Sequence, residues 1–173
     1  HEPAEELPQA YAILDPLKTE CSYPFKHLSA CGVAFKLIQG VCIALNKPEI
    51  PYSYLDFVAV SSAADIVALT GENRILVHYG LERLNTNPRP GFQGLLDCAD
   101  MRAGNLTTSN IIFGIAPRIN AAGRLGDAGR AVDMMIAEDE YTAFSIAQML
   151  ESDNRRRRQL DEFTFDQASK EAE

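Results

Sequence analysis

Apolar positions recur at helical spacing through most of the chain. Between His27 and Asn46, Leu28, Cys31, Phe35, Ile38, Cys42 and Leu45 follow one another at intervals of three and four. That is the period of a helix with one buried face. Gly32 and Gly40 lie inside it, each costing about 1 kcal/mol against Ala, and predict close packing against a neighbour. Pro48 and Pro51 break the pattern. Tyr54 to Leu69 is apolar with small residues at its centre. Glu72 to Leu84 predicts a helix, Asn85 to Pro90 a turn, and Gly91 to Cys98 a short helix. Thr107 or Thr108 is the natural cap of the next one. Ile111 to Ile115 is an apolar run, and Asp127 to Ala137 predicts a helix with Ala131, Met134 and Met135 inward. Tyr11 to Leu14, ending at Asp15-Pro16, reads as the end of a buried strand.

From Asp139 to Glu173 there is neither Pro nor Gly. Tyr141, Phe144, Ile146 or Ala147, Leu150, Leu160 and Phe163 keep roughly helical spacing, which predicts one helix about 50 Å long. Beyond Glu151 charges dominate, as in a helix that leaves a core and links two domains.

Composition narrows the class. With 173 residues and 46% hydrophobic content, the chain can bury one real core. No apolar run approaches the roughly 20 residues of a membrane span. The four Cys, at 21, 31, 42 and 98, form no C-x-x-C pair. They read as reduced packing residues and point to a cytoplasmic setting. A net charge of −8 argues against a generally basic nucleic-acid binder. It is compatible with a nuclease, whose metal site needs carboxylates. Both termini read as cuts in a longer protein.

The strongest chemical signal is Ala116 to Asp127, A-P-R-I-N-A-A-G-R-L-G-D. Arg118, Asn120 and Arg124 stand among the small residues Ala121, Ala122, Gly123 and Gly126. Arg presents a fork of donors that fits two phosphate oxygens, and small residues let a backbone come close. Two readings stand level: an anion cradle, or a helix end whose arginines bond carbonyls or Asp127. Asp65 lies among apolar and small neighbours, and locally a cap or satisfied acceptor is favoured over a metal ligand. His27 and His78 are isolated, and Arg155 to Arg158 surround the helix rather than forming a patch. Neither a P-loop, nor G-x-S-x-G, nor H-E-x-x-H is present.

Several segments together resemble one family. A-P-R-I-N-A-A-G-R-L (116–125) is similar to the signature of the RecJ branch of the DHH phosphoesterase superfamily. C-S-Y-P-F-K-H-L-S-A-C-G-V-A-F-K-L (21–37) resembles its Y-P-F-K-x-L-x-G-x-G-V-A-F-K segment. V-A-V-S-S-A-A-D (58–65) resembles V-A-x-G-T-V-A-D, with Ser-Ser-Ala replacing Gly-Thr-Val. G-E-N-R-I-L-V-H-Y-G-L-E-R-L-N (71–85) also matches, and the opening His-Glu-Pro resembles the tail of D-H-H-E-P.

The resemblance implies an α/β fold, a parallel sheet with helices. Residues 1–138 would be the mostly helical second half of the DHH domain. Residues 139–173 would be the helix leading towards a DHHA1 domain. It implies a 5′-to-3′ exonuclease on single-stranded DNA using Mn²⁺ or Mg²⁺. His1 would be the second His of D-H-H, contacting the scissile phosphate. Asp65 would be the last metal-binding Asp, and Arg118, Asn120 and Arg124 would contact nucleic-acid phosphate. A two-metal site needs more carboxylates than these, so the isolated chain is expected to be inactive. Single-stranded DNA is the expected partner, with single-strand-binding protein a further one. A monomer is expected. The alternatives are a phosphodiesterase of short oligoribonucleotides or cyclic dinucleotides, and a non-catalytic nucleic-acid-binding relative.

Overall fold

The computed structural model describes residues 3–4, 6–125 and 127–172. His1 and Gly126, both singled out above, lie outside the described residues. The described chain is helical: α1 (Ala30–Ala44), α2 (Leu55–Ala64), α3 (Gly71–Thr86), α4 (Pro90–Cys98), the single turn α5 (Thr108–Asn110), α6 (Ala116–Leu125), α7 (Gly129–Ile136) and α8 (Glu140–Ala172). A 3₁₀ turn, Ile50–Tyr54, precedes α2, and a π-helix, Ile111–Ile115, runs directly into α6. Among the described residues there is no strand. The strand expected at Tyr11 to Leu14 is instead open chain. Tyr11 is fully exposed and Leu14 more than half exposed.

Two compact units divide between Arg83 and Leu84. In the first, Phe35 of α1, Leu55 and Val58 of α2 and Leu76 of α3 form the core, with Leu28 and Cys31 against them. α3 crosses α2 at Gly80, where a Cβ would collide with the Leu55 carbonyl and Ala59. Gly40, expected to mark a close approach, faces open space, and a Cβ at Gly32 would meet mainly its own helix turn. Polar groups fix the ends. Ser29 caps α1 by accepting from the Gly32 N–H at 3.1 Å, and its hydroxyl also meets that of Ser62 at 3.1 Å. The buried Asn73 amide donates to the carbonyls of His27 at 2.6 Å and Ala68 at 3.0 Å.

The second unit is built round α8. α4, α6 and α7 all pack on it. Phe92, Leu95 and Leu96 of α4, Ile111 and Ile115, Met134 of α7, and Ala143, Ala147 and Leu150 of α8 make the core. Over 159–171 the helix is exposed on all sides, as its charge pattern predicts. No helix among the described residues is long and apolar enough to cross a membrane.

Candidate nucleic-acid interface

The segment 116–125 is a helix, and its period sorts the signature residues into two faces. Ala121 and Ala122 are fully buried, and Arg118 is 8% exposed. The two alanines therefore serve to bring α6 close to its neighbours within the unit. Asn120, Gly123 and Arg124 face solvent.

Arg118 is held from two directions. Its Nη1 donates to the Gly114 carbonyl at 2.7 Å. Its Nε lies 2.6 Å from Oε2 of Glu151 on α8, an ion contact without hydrogen-bond alignment. Gly114 belongs to the π-helix, whose i→i+5 pattern is rare. A Cβ at 114 would displace the flexible end of the Met101 side chain. Glu151 uses its other oxygen, Oε1, on the Arg155 Nε at 2.7 Å. A second tie joins α7 to α8, Arg130 to Asp153 at 2.8 Å. Arg118 and Arg124 thus have different surroundings: one is committed inside the unit, the other is open.

Asp65 stands as the C-cap residue of α2 and is exposed. Its carboxylate accepts a long bond from the Ser61 hydroxyl at 3.4 Å. The helix ends in a Schellman motif: the Ile66 N–H bonds the Ala63 carbonyl and the Val67 N–H bonds that of Ser62. Ile66 takes φ 53°, a left-handed conformation usually given to Gly. Among the described residues no three His, Cys, Asp or Glu side chains gather to hold a metal ion. Asp65 therefore fits as a single donor, and these residues alone do not form a two-metal centre.

Two thiols, Cys31 and Cys98, are shifted upward. Burial, with Asp56 and Asp65 next in effect, pushes the Cys31 thiol up to about 11. Burial first and Glu151 second raise the Cys98 thiol. The sequence did not single out Glu151 as a partner for the signature. The available signal was the helical period: Arg118 shares a face with Ala121, Ala122 and Leu125, which marks it as inward.

No protein-family model matches the chain. Among proteins of known name it is similar to single-stranded-DNA-specific exonucleases. It is 37% identical to RecJ of Bacillus subtilis (strain 168) across 92% of this chain and 20% of that one. It is 34% identical to RecJ of Escherichia coli (strain K12) across 94% of this chain and 30% of the other. Among solved structures, the manganese complex of RecJ from Thermus thermophilus matches with a TM-score of 0.84 and 31% identity. That match covers 96% of this chain and 25% of that one. The chain is therefore similar to a segment of RecJ over nearly all of its own length, and it spans only 20–30% of these relatives.

Proposed function

We propose that this chain is part of a divalent-metal-dependent exonuclease that hydrolyses single-stranded DNA from the 5′ end, serving repair and recombination. The observation that carries this reading is the similarity to RecJ along nearly the whole chain. It spans the 116–125 signature as well as the segment ending in Asp65. The names of these relatives favour strand hydrolysis over a phosphodiesterase of short oligoribonucleotides or cyclic dinucleotides.

In this reading the exposed Arg124 and Asn120 hold a backbone phosphate of the strand. Arg118 fixes α6 from inside. A bound Mn²⁺ or Mg²⁺ would activate water and neutralise phosphate charge. Asp65 would supply one carboxylate, the other ligands coming from outside the described residues. His1 would contact the scissile phosphate. The helices here would cover a parallel sheet of an α/β domain, with α8 leading on towards a further domain. The working setting is the cytoplasm, the protein is a monomer, and single-strand-binding protein is a second partner.

The test is nucleotide release from 5′-ended single strands with Mn²⁺. It uses the longest open reading frame that contains these residues, beside the 173-residue chain alone. Release by the former, abolished by a chelator and absent with duplex, is expected, and the chain alone should release nothing. Hydrolysis of cyclic dinucleotides or short oligoribonucleotides without attack on DNA would overturn the reading.

A further inference from the structure

α8 carries a stripe that core packing does not explain. Phe144, Gln148, Glu151, Ser152 and Arg155 recur at i, i+4, i+7, i+8 and i+11, one face of a helix. α4 comes closest at Gly94, where a Cβ would stand 3.2 Å from the Phe144 Cα and from the Ala147 side chain. About a turn further on, Asp97 and Cys98 face the stripe across a groove of about 420 Å³. Small-ligand sites commonly span about 300–1,000 Å³.

The groove brings several kinds of chemistry together. Phe144 offers an aromatic ring, the residue being 39% exposed. Arg155 offers a cation whose side chain is 72% exposed and whose Nε is fixed by Glu151. Its terminal nitrogens make no hydrogen bond among the described residues. Glu151 is shared with Arg118, so the three side chains together keep one net positive charge. Asp97 accepts from the Gln93 amide through Oδ1 at 2.8 Å, leaving Oδ2 without a partner among the described residues. Gln148 adds an amide beside it. The Cys98 thiol, raised by burial, stays neutral and gives the groove an uncharged floor.

A bare anion would meet Arg155 but also the Asp97 carboxylate. A ligand with a flat ring, an amino-bearing edge and a phosphate satisfies every wall. Aromatic side chains stack bases whatever their identity. Carboxylates accept from exocyclic amino groups such as that of cytosine. We propose that the groove between α4 and α8 binds a nucleotide, its base on Phe144, its edge read by Asp97 and Gln148, and its phosphate on Arg155. Glu151 is the positioning residue that presents the guanidinium. That the nucleotide is one unit of a DNA strand rests on the reading above; that it is a nucleotide does not.

The experiment titrates the 173-residue chain with dCMP, dTMP, deoxycytidine and inorganic phosphate by ligand-observed NMR. In parallel, a fluorescein-labelled oligo(dC) is followed by anisotropy. Variants are Arg155→Ala, Phe144→Ala and Asp97→Ala, all at exposed side chains, with circular dichroism to verify folding. dCMP is expected to bind more tightly than dTMP, deoxycytidine or phosphate. Arg155→Ala and Phe144→Ala should each weaken dCMP about tenfold, and Asp97→Ala should erase the preference for dCMP over dTMP. If the same two variants weaken oligo(dC), the site takes a unit of the strand; if only dCMP responds, it takes a free mononucleotide. Equal binding of phosphate and dCMP, or dCMP binding indifferent to Phe144 and Arg155, would overturn the proposal. Arg124→Ala separates the two readings. Should it weaken oligo(dC) while dCMP ignores the groove variants, the groove falls and the strand-binding reading stands.

Discussion

Arg118 Nε lies 2.6 Å from Glu151 Oε2, with the two side chains only 9% and 13% exposed. This buried pair joins the signature helix α6 to α8. Removing one partner leaves an uncompensated buried charge, which typically costs about 3–5 kcal/mol. Glu151→Ala should therefore lower the urea midpoint of the second unit sharply. Replacing both residues by Met should recover most of that loss, since well-packed apolar pairs often match buried ion pairs. If Glu151→Ala and the double variant are equally unstable, the pair is not what ties the helices.

Arg124 has the opposite environment. It is exposed on the outer face of α6, one turn beyond the exposed Asn120. Arg124→Ala should leave the unfolding midpoint nearly unchanged, as surface substitutions usually do. It should weaken binding of oligo(dC) and flatten the salt dependence by about one phosphate contact. Anisotropy titrations between low and moderate salt measure both. An unchanged slope would make Arg124 a structural residue.

The contrast between these two arginines marks how far the sequence could be read. Helical period located α1, α3, α4 and α8 to within a few residues, because each carries a regular apolar face. The same period, applied to 116–125, separates Arg118 from Arg124. What it cannot supply is the partner: Glu151 lies far along the chain on α8, and only packing brings it to α6. Helix ends were hard for another reason. α1, α2 and α4 all close with a left-handed residue, but these are Asn46, Ile66 and Asp100 rather than Gly. Tyr11 to Leu14 misled because an apolar run does not say what will cover it. Phe144 misled in the opposite way, fitting the core period of α8 while lining a groove.

Ile66 is the costliest of those three ends. An L-residue in the left-handed region loses about 1–2 kcal/mol, and β-branching makes it worse. Asn and Asp tolerate the conformation through their short polar side chains. Ile66 is 75% exposed, so its side chain returns little burial. Glycine there would relieve the strain but give up about 0.5–1 kcal/mol through greater unfolded-state freedom. Ile66→Gly should stabilise the first unit by about 0.5–1 kcal/mol, the strain relieved less that entropy, seen as a higher urea midpoint at constant slope. Asn46→Gly and Asp100→Gly should gain less. A lower midpoint for Ile66→Gly would mean that the isoleucine side chain contributes more than its exposure suggests.

Glu72, in the first unit, is held ionised by two donors. Its carboxylate receives the Tyr23 hydroxyl, 2.7 and 2.9 Å from its two oxygens, and the Lys36 ammonium at 2.7 Å. Burial acts to raise its pKa, but the bonds from Lys36 and Tyr23 outweigh it and hold the carboxyl below its ordinary value. Lys36 is correspondingly raised: burial alone would lower it, and the Glu72 bond prevails. A carboxyl lowered in the folded state adds stability that is present above its unfolded pKa of about 4.3. That stability is lost as pH falls through the folded value. Urea midpoints taken from pH 7 down to about pH 3 should therefore drop for the wild type as Glu72 protonates. Glu72→Gln keeps the shape but not the charge. It should start lower at about pH 7 and show a flatter acid limb, the two curves converging at the acid end. Parallel curves would assign the acid sensitivity to other carboxylates.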